Sequence, residues 1–361
     1  MSEIGLYMIV KDEAHIIERC LRSALPFVDW WVIVDTGSID GTQDVVRRVL
    51  DGVPGELHER PWVDFGHNRQ ESLELAAAFP ARSADSYALW IDADDQFTSV
   101  PDERPDLTLD GYHVTNHFGA TSYSVLRLTR LDRPWRWQGV VHEHLALPGA
   151  DVGSLDVPSV HEERAGARSL DPDKYRKDAA LLEGALARTP DDPRTQFYLA
   201  QSWRDAGELE RALAAYRTRS DNANGWDQER WYARFQAAVI SERLARPDAE
   251  VVAAYLTAYA ALPSRAEPLV ELARFHRERE LHAVARLFAT PATSTPHPGR
   301  SALFVDESTY SWRAWDELAV SCYWTGAYAE GLDAAERALA VHPDDERLRA
   351  NVAFCREKTL A

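Results

Sequence analysis

The sequence predicts an α/β sheet domain followed by an all-α domain of helical repeats. Three observations carry this reading. Residues 1 to about 160 alternate short apolar runs with amphipathic stretches; beyond about Asp171 nearly everything is rich in Ala, Leu, Glu and Arg, with Pro or Gly at the breaks; and two stretches of that second half align with one another. The 361 residues, 45% apolar and 27% charged, allow about two domains, each able to bury its own core. They are placed at 1–170 and 171–361.

The first domain reads as successive βα units. Gly5 to Val10 (GLYMIV) is a strand, and Glu13 to Ser23 follows with Ile16, Ile17, Cys20 and Leu21 on one helix face. Trp30 to Val34 (WWVIV) is a second strand, closed by Asp35-Thr36-Gly37-Ser38, after which Asp40 caps a helix through Leu50. A third unit joins a strand near Leu57 to a helix from about Gly66 to Phe79. A fourth strand, Tyr87 to Ile91, empties into Asp92-Ala93-Asp94-Asp95. In open α/β sheets the carboxyl ends of strands are where ligands bind. From Gly111 to Leu147 the runs GYHVTNHF, YSVLRLTRL and QGVVHEHLAL alternate like strands of an antiparallel edge.

In the second domain, Tyr198 to Arg217 aligns with Glu317 to Arg337 at a constant offset of 119 residues, pairing Leu199 with Leu318, Ala200 with Ala319 and Gly207 with Gly326. Weaker copies fit around Ala238 and Ala273, so the alanines are spaced 38, 35 and 46 apart. Small residues at helix crossings, Gly in the turn and Pro-Asp-Asp after the second helix resemble tetratricopeptide repeats.

Composition excludes several classes. Forty Lys and Arg against 58 Asp and Glu give a net charge of −18, so broad attraction to nucleic acid or anionic membrane is not expected. Cys20, Cys322 and Cys355 form no CxxC pair and suggest neither a disulfide framework nor a zinc knuckle, and neither a signal peptide nor a membrane span is apparent. The expectation is a reducing cytoplasm. No P-loop, GxGxxG, HExxH or GxSxG pattern occurs.

Asp92-Ala93-Asp94 is the most informative tripeptide. Two carboxylates one residue apart at a strand end can face one pocket, one accepting hydrogen bonds from ribose hydroxyls and the other holding a hard divalent cation. Together with VKDE (Val10 to Glu13), VDTGSIDGT (Val34 to Thr42), WVDFGHNR (Trp62 to Arg69), WIDADD (Trp90 to Asp95) and WQGVVHEHL (Trp137 to Leu145), it resembles glycosyltransferase family 2 over residues 1 to about 170. That resemblance implies a GT-A (Rossmann-like) mixed sheet. The helical tail is similar to tetratricopeptide-containing members, with the peptide S-glycosyltransferases of bacteriocins as distant relatives.

The resemblance implies roles for individual residues. Asp35 would accept a hydrogen bond from the nucleobase; its alternative is an Asx-turn or helix cap, to which Asp40 and Thr42 are left. Lys11 and Glu13 would lie beside the nucleoside, Glu13 being equally suited to a helix N-terminal charge. Asn68 and Arg69 match the family's Arg/Asn pair with the order often reversed, against a plain surface helix. Asp92 would hold the ribose or a metal-bound water, Ala93 would lie in the cofactor-binding turn, and Asp94 would hold Mn²⁺ or Mg²⁺. Asp95 is a second ligand, a competing base or a solvated turn residue. Glu143 is the candidate base that deprotonates the acceptor in an inverting transfer. His142 is a candidate metal or diphosphate ligand, although in a strand the two would face opposite sides. Trp135 and Trp137 stack on a sugar or fill the core. In His161 to Ser169, Arg164 and Arg168 would grip the pyrophosphate from a lid, or the segment is an interdomain linker.

The expected function is a metal-dependent, inverting glycosyltransferase using a nucleotide diphosphate sugar, UDP-linked by default. The acceptor is a peptide, a metabolite, a glycan precursor or a modified base in phage-type DNA, and a homodimer is left open. The alternative is a non-catalytic scaffold whose repeats bind a partner peptide.

Overall fold

The computed structural model describes residues 2–360 apart from 81–82, 100–103, 119–120, 164 and 300–301. The chain divides into two compact units, Met1–Ala185 and Leu186–Ala361. The division lies beyond the expected boundary at residue 170, and the ion pair of Arg168 with Asp178 ties the start of the next helix to the segment that follows the sheet.

In chain order the first unit contains β1 (Ile4–Val10), α1 (Ile17–Ala24), β2 (Trp30–Asp35), α2 (Thr42–Val49), β3 (Gly55–Glu59), α3 (Phe65–Ala78), β4 (Tyr87–Trp90), β5 (Gln96–Ser99), β6 (Gly111–Phe118), β7 (Thr121–Arg130), β8 (Arg136–Gln138), β9 (His144–Ala146), β10 (Val152–His161) and the start of α4 (Lys174–Arg188). An eight-stranded sheet runs β3-β2-β1-β4-β7-β6-β10-β5. β1 to β4 are mutually parallel, β7 is antiparallel to both its neighbours, and β10 is parallel to β6. One face packs Leu6, Met8 and Ile33 against Ile17, Leu21 and Val46 of α1 and α2. On the other, Tyr7, Trp30 and Val32 meet Leu73 and Ala76 of α3. This period-2 partition of continuous apolar strands places helices on both faces. At Gly5 a Cβ would collide with the Trp30 ring, so the residue must be glycine.

Three local expectations are corrected. The first helix starts at Ile17 rather than Glu13: Asp12 is left-handed at φ +55°, the N–H groups of Asp12, Glu13 and Ala14 tie the chain to Ser38 Oγ, Thr42 Oγ1 and Asp40 Oδ2, and a turn closed on the Glu13 carbonyl precedes the helix. Asp40 uses one oxygen to brace β1's exit and the other to accept from the first N–H of α2, that of Thr42 at 3.0 Å, while the N-cap position itself falls one residue later, at Gly41 with φ +94°. The run QGVVHEHLAL is not one strand: β8 and β9 form a separate two-stranded sheet, and His142 sits between them at φ +54°. The strands β5 and β10 were not anticipated.

The second unit is built from hairpins α5 (Pro193–Asp205)/α6 (Leu209–Asp221), α7 (Asp227–Arg243)/α8 (Asp248–Ala261), α9 (Glu267–Arg277)/α10 (His282–Ser294) and α11 (Ala314–Trp324)/α12 (Tyr328–Val341), closed by α13 (Glu346–Leu360). Ala200, Ala238, Ala273 and Ala319 all lie in the first helix of a hairpin and are at most 1% exposed, which is why small residues recur there. The matching turn positions are Gly207, Ala245, Glu280 and Gly326, each with positive φ between 50° and 79°. An irregular helical-repeat domain is thus the observed architecture.

Candidate functional site

The parallel strands β1, β2, β3 and β4 deliver their carboxyl ends to one edge, and the segments that leave it carry most of the anticipated residues. Asp35, the last residue of β2, is fully buried. Its Oδ1 accepts from the N–H groups of Gly37 and Ser38, both at 2.8 Å, so the turn-forming role is real. Its Oδ2 is also buried but has no hydrogen-bond partner. A buried carboxylate oxygen left unpaired is costly and calls for a ligand donor or an ordered water.

After β4, Asp92 to Asp95 form a turn closed by Asp95 N–H to the Asp92 carbonyl at 3.1 Å. The carboxylates separate. Asp92 accepts from Arg69 Nη2 at 2.5 Å, and Arg69 Nε donates to Glu143 Oε1 at 2.6 Å. Arg69 is therefore a buried bridge between two of the anticipated residues rather than part of a surface helix. Its guanidinium lies 4.8 Å from the Trp90 ring and 5.1 Å from that of Trp137. Burial works against the Arg69 cation, but Asp92 and Glu143 more than compensate and hold it above its ordinary range. Burial likewise opposes ionisation of Asp92, yet Arg69 brings its carboxyl below the usual value.

Asp95 does not suit a solvated turn, a metal ligand or an accessible base. It is buried and paired with the equally buried Arg127 at 2.7 Å, and burial pushes its carboxyl up to about 7 against the pull of that cation. Ala93 is buried beneath the turn and Lys11 is exposed beyond β1. Asn68, expected at the nucleotide, is fully buried and turned into its own loop: Oδ1 accepts from Val63 N–H at 3.0 Å and Nδ2 donates to the Pro61 carbonyl at 3.1 Å. It is a pin for residues 61–63. Trp135 and Trp137 belong to the core beside α3.

Asp94 and Glu13 converge. Asp94 Oδ2 accepts from Gly166 N–H at 3.0 Å, and both Glu13 oxygens lie 3.2 Å from Ala167 N. A Cβ built on Gly166 would sit 3.1 Å from Glu13 Oε1 and 3.2 Å from Asp94 Oδ2. Desolvation, together with the nearby Asp94 charge, raises the Glu13 carboxyl to about 7 in spite of the Ala167 N–H. Arg168 is occupied: its Nη2 bonds both oxygens of Asp178, at 2.6 and 2.5 Å, and the guanidinium covers Phe65 at 4.2 Å. Arg164 lies outside the described residues. His142 is exposed, and among the described residues no three His, Cys, Asp or Glu side chains form a metal-holding group, so it joins none with Asp94.

Sequence reading missed Arg127, Asn116, Glu162 and Tyr123. Arg127 Nε donates to Asn116 Oδ1 at 3.1 Å, Asn116 Nδ2 to Glu162 Oε1 at 2.6 Å, and Tyr123 Oη to the same oxygen. Between Leu126 and Leu128 in an alternating strand, Arg127 falls on the polar side of the local pattern, so nothing in the sequence marked it as buried.

No protein-family model matches the chain. A protein of Synechococcus elongatus described as TPR repeat-containing is 30% identical over 155 residues, covering 40% of this chain and 35% of its own length. The chain thus spans about a third of that relative. Among solved structures, a tetratricopeptide repeat protein from Parabacteroides merdae aligns over 53% of this chain and 69% of its own, at TM-score 0.39 and 15% identity. The C-terminal part of a TPR repeat-containing protein from Cytophaga hutchinsonii aligns over 52% and 67%, at TM-score 0.40 and 11% identity.

Proposed function

We propose that the sheet unit is a glycosyltransferase of GT-A type that takes a nucleotide diphosphate sugar, UDP-linked by default, and transfers the sugar to an acceptor with inversion. The observation that carries this reading is the unpartnered, buried Asp35 Oδ2 at the same strand-end edge as Asp92, Asp94 and Glu13. It suits an N–H of a nucleobase, and the neighbouring carboxylates suit ribose hydroxyls and a cation. The donor set of Asp94 and Glu13 is all oxygen, which fits Mn²⁺ or Mg²⁺, and their convergence on one point is compatible with a shared ion. Such an ion, when bound, offsets charge on the departing diphosphate.

The chain's own residues have defined tasks. The acceptor's nucleophilic atom bonds to the anomeric carbon while the bond from that carbon to the phosphate oxygen breaks, its electron pair leaving with the nucleoside diphosphate. Glu143 takes the acceptor's proton on the opposite face. Arg69, packed against Trp90 and Trp137, fixes the orientation of Glu143 and Asp92 together. Incubating the full chain with Mn²⁺ and a panel of nucleotide diphosphate sugars is expected to release nucleoside diphosphate, and Asp94→Ala to abolish the release while leaving the fold intact. Glu143→Gln is expected to suppress transfer to acceptor far more than donor binding.

A second reading, a partner-binding scaffold carrying a degenerate sheet unit, is favoured by the matched Synechococcus elongatus protein, which is described as TPR repeat-containing. If no nucleotide diphosphate shifts the melting temperature and none of the panel is cleaved, the scaffold reading replaces the first.

A further inference from the structure

The segment Ala165–Leu170 lies across the two carboxylates that the proposed function needs free. Its hold is polar and specific. Consecutive N–H groups of Gly166 and Ala167 point at Asp94 Oδ2 and at both Glu13 oxygens. The Ala165 carbonyl meets His15 Nε2 at 3.2 Å. Just ahead, Glu163 is paired with Arg19 Nη1 at 2.6 Å, and Arg19 Nη2 also donates to the Asp94 carbonyl at 3.2 Å. Behind it, Arg168 is anchored on Asp178. Both N–H contacts are charge-assisted, the stronger class of hydrogen bond. Gly166 is the residue at which a Cβ would press on both carboxylates, so the close approach needs glycine.

We infer that this segment is a clasp that competes with a divalent cation for Asp94 and Glu13. The two backbone N–H groups present partial positive charge to the oxygens a cation would ligate, and the Gly166 backbone comes so close to both carboxylates that it stands where a shared ion would sit. Cation entry therefore requires the segment to lift, and a nucleotide diphosphate sugar would find an open edge only when cation is already in place. The inference rests on the cation site of the proposed function. By linkage, weakening the clasp strengthens cation binding by the same factor.

The test uses the full chain and Mn²⁺ alone, with no donor. Mn²⁺ affinity is measured by titration with electron paramagnetic resonance detection, and amide exchange of residues 165–170 is followed with and without the ion. Saturating Mn²⁺ is expected to accelerate exchange of Gly166 and Ala167 while the amides of β1 and β4 are unchanged. Gly166→Pro, at a residue whose φ of −63° suits proline, removes one of the two donors and sets a Cβ against both carboxylates; both changes push the segment off, so Mn²⁺ is expected to bind about tenfold more tightly. Glu163→Gln, which loosens the Arg19 anchor without touching either carboxylate, is expected to shift affinity the same way and serves if the proline variant misfolds. Mn²⁺ binding that leaves exchange unchanged or slowed, with neither variant binding more tightly, overturns the clasp and leaves the cation site standing. Absence of Mn²⁺ binding in the wild type and both variants overturns the cation site and the clasp with it.

Discussion

The carboxamide of Asn68 has both ends engaged by the loop just ahead of its own helix, one by Val63 N–H and one by the Pro61 carbonyl. Asn68→Ala would leave two loop groups without partners and is expected to cost about 2 kcal/mol of stability, read by chemical denaturation, while nucleotide affinity of the folded fraction changes little. A variant of full stability that had lost nucleotide affinity would return Asn68 to the binding role its motif implied. The contrast with Asp35 is instructive. Both residues are buried and both make local hydrogen bonds, but only Asp35 keeps an oxygen with no partner. Motif position placed both at the right edge of the sheet, and could not say which side chain turns inward, because that depends on which loop N–H groups lie in reach. The pairing of Arg69 with Glu143 was equally hidden, since those residues are 74 apart in sequence and meet only through the fold. Arg127 was hidden too, its alternating strand reading as polar on that side, whereas its partner Asp95 was visible in the motif, as a ligand or base and not as the buried half of an ion pair.

At the scale of elements, the four hairpins share one turn geometry but not one turn residue. Gly207 and Gly326 adopt positive φ without strain, whereas Ala245 and Glu280 hold φ of 50° and 59° with a Cβ in place. This explains why the middle copies looked weak in sequence: the buried alanines recur, but the glycine that marks the turn is missing. Ala245→Gly and Glu280→Gly are each expected to stabilise the chain by about 0.5–1 kcal/mol, measured from the denaturation midpoint, because relief of the left-handed strain exceeds the added freedom of the unfolded chain. A loss of stability in both would show that neighbouring contacts of the Ala and Glu side chains outweigh backbone strain. Strong apolar strands and periodic helices were legible for a related reason, being written in local pattern. The strand β10 was not, because VGSLDVPSVH carries Gly, Pro and several polar residues and is recruited by its neighbours β6 and β5. The break in QGVVHEHLAL was hidden as well: Gly139 at φ +94° and His142 at φ +54° bend a run whose composition reads as a strand.

For the whole molecule the governing quantity is charge. The net charge is −18, and many of the arginines that could offset it locally are already committed to carboxylates. In the second unit Arg265 is paired with Glu267, Arg274 with Glu242 and Glu271, Arg277 with Glu317, and Arg313 with Glu271 and Asp306. In the first, Arg69 and Arg127 are buried against acids. A polyanion approaching such a chain meets repulsion at long range and, among the described residues, many arginines already paired with carboxylates at short range, which limits the counterion release that drives most binding to duplex DNA. Among the acceptor classes considered, a base within DNA is thus the one the electrostatics oppose. The expected outcome is no retardation of duplex DNA in a mobility-shift assay at about 0.15 M salt, where non-specific binders typically show dissociation constants of roughly 10⁻⁴–10⁻⁶ M. Lowering the salt lengthens the reach of the repulsion and is expected to leave the duplex unbound. Retardation that weakens steeply as salt rises would reveal a local basic surface the overall charge conceals, and would move modified DNA to the front of the acceptors to be tried.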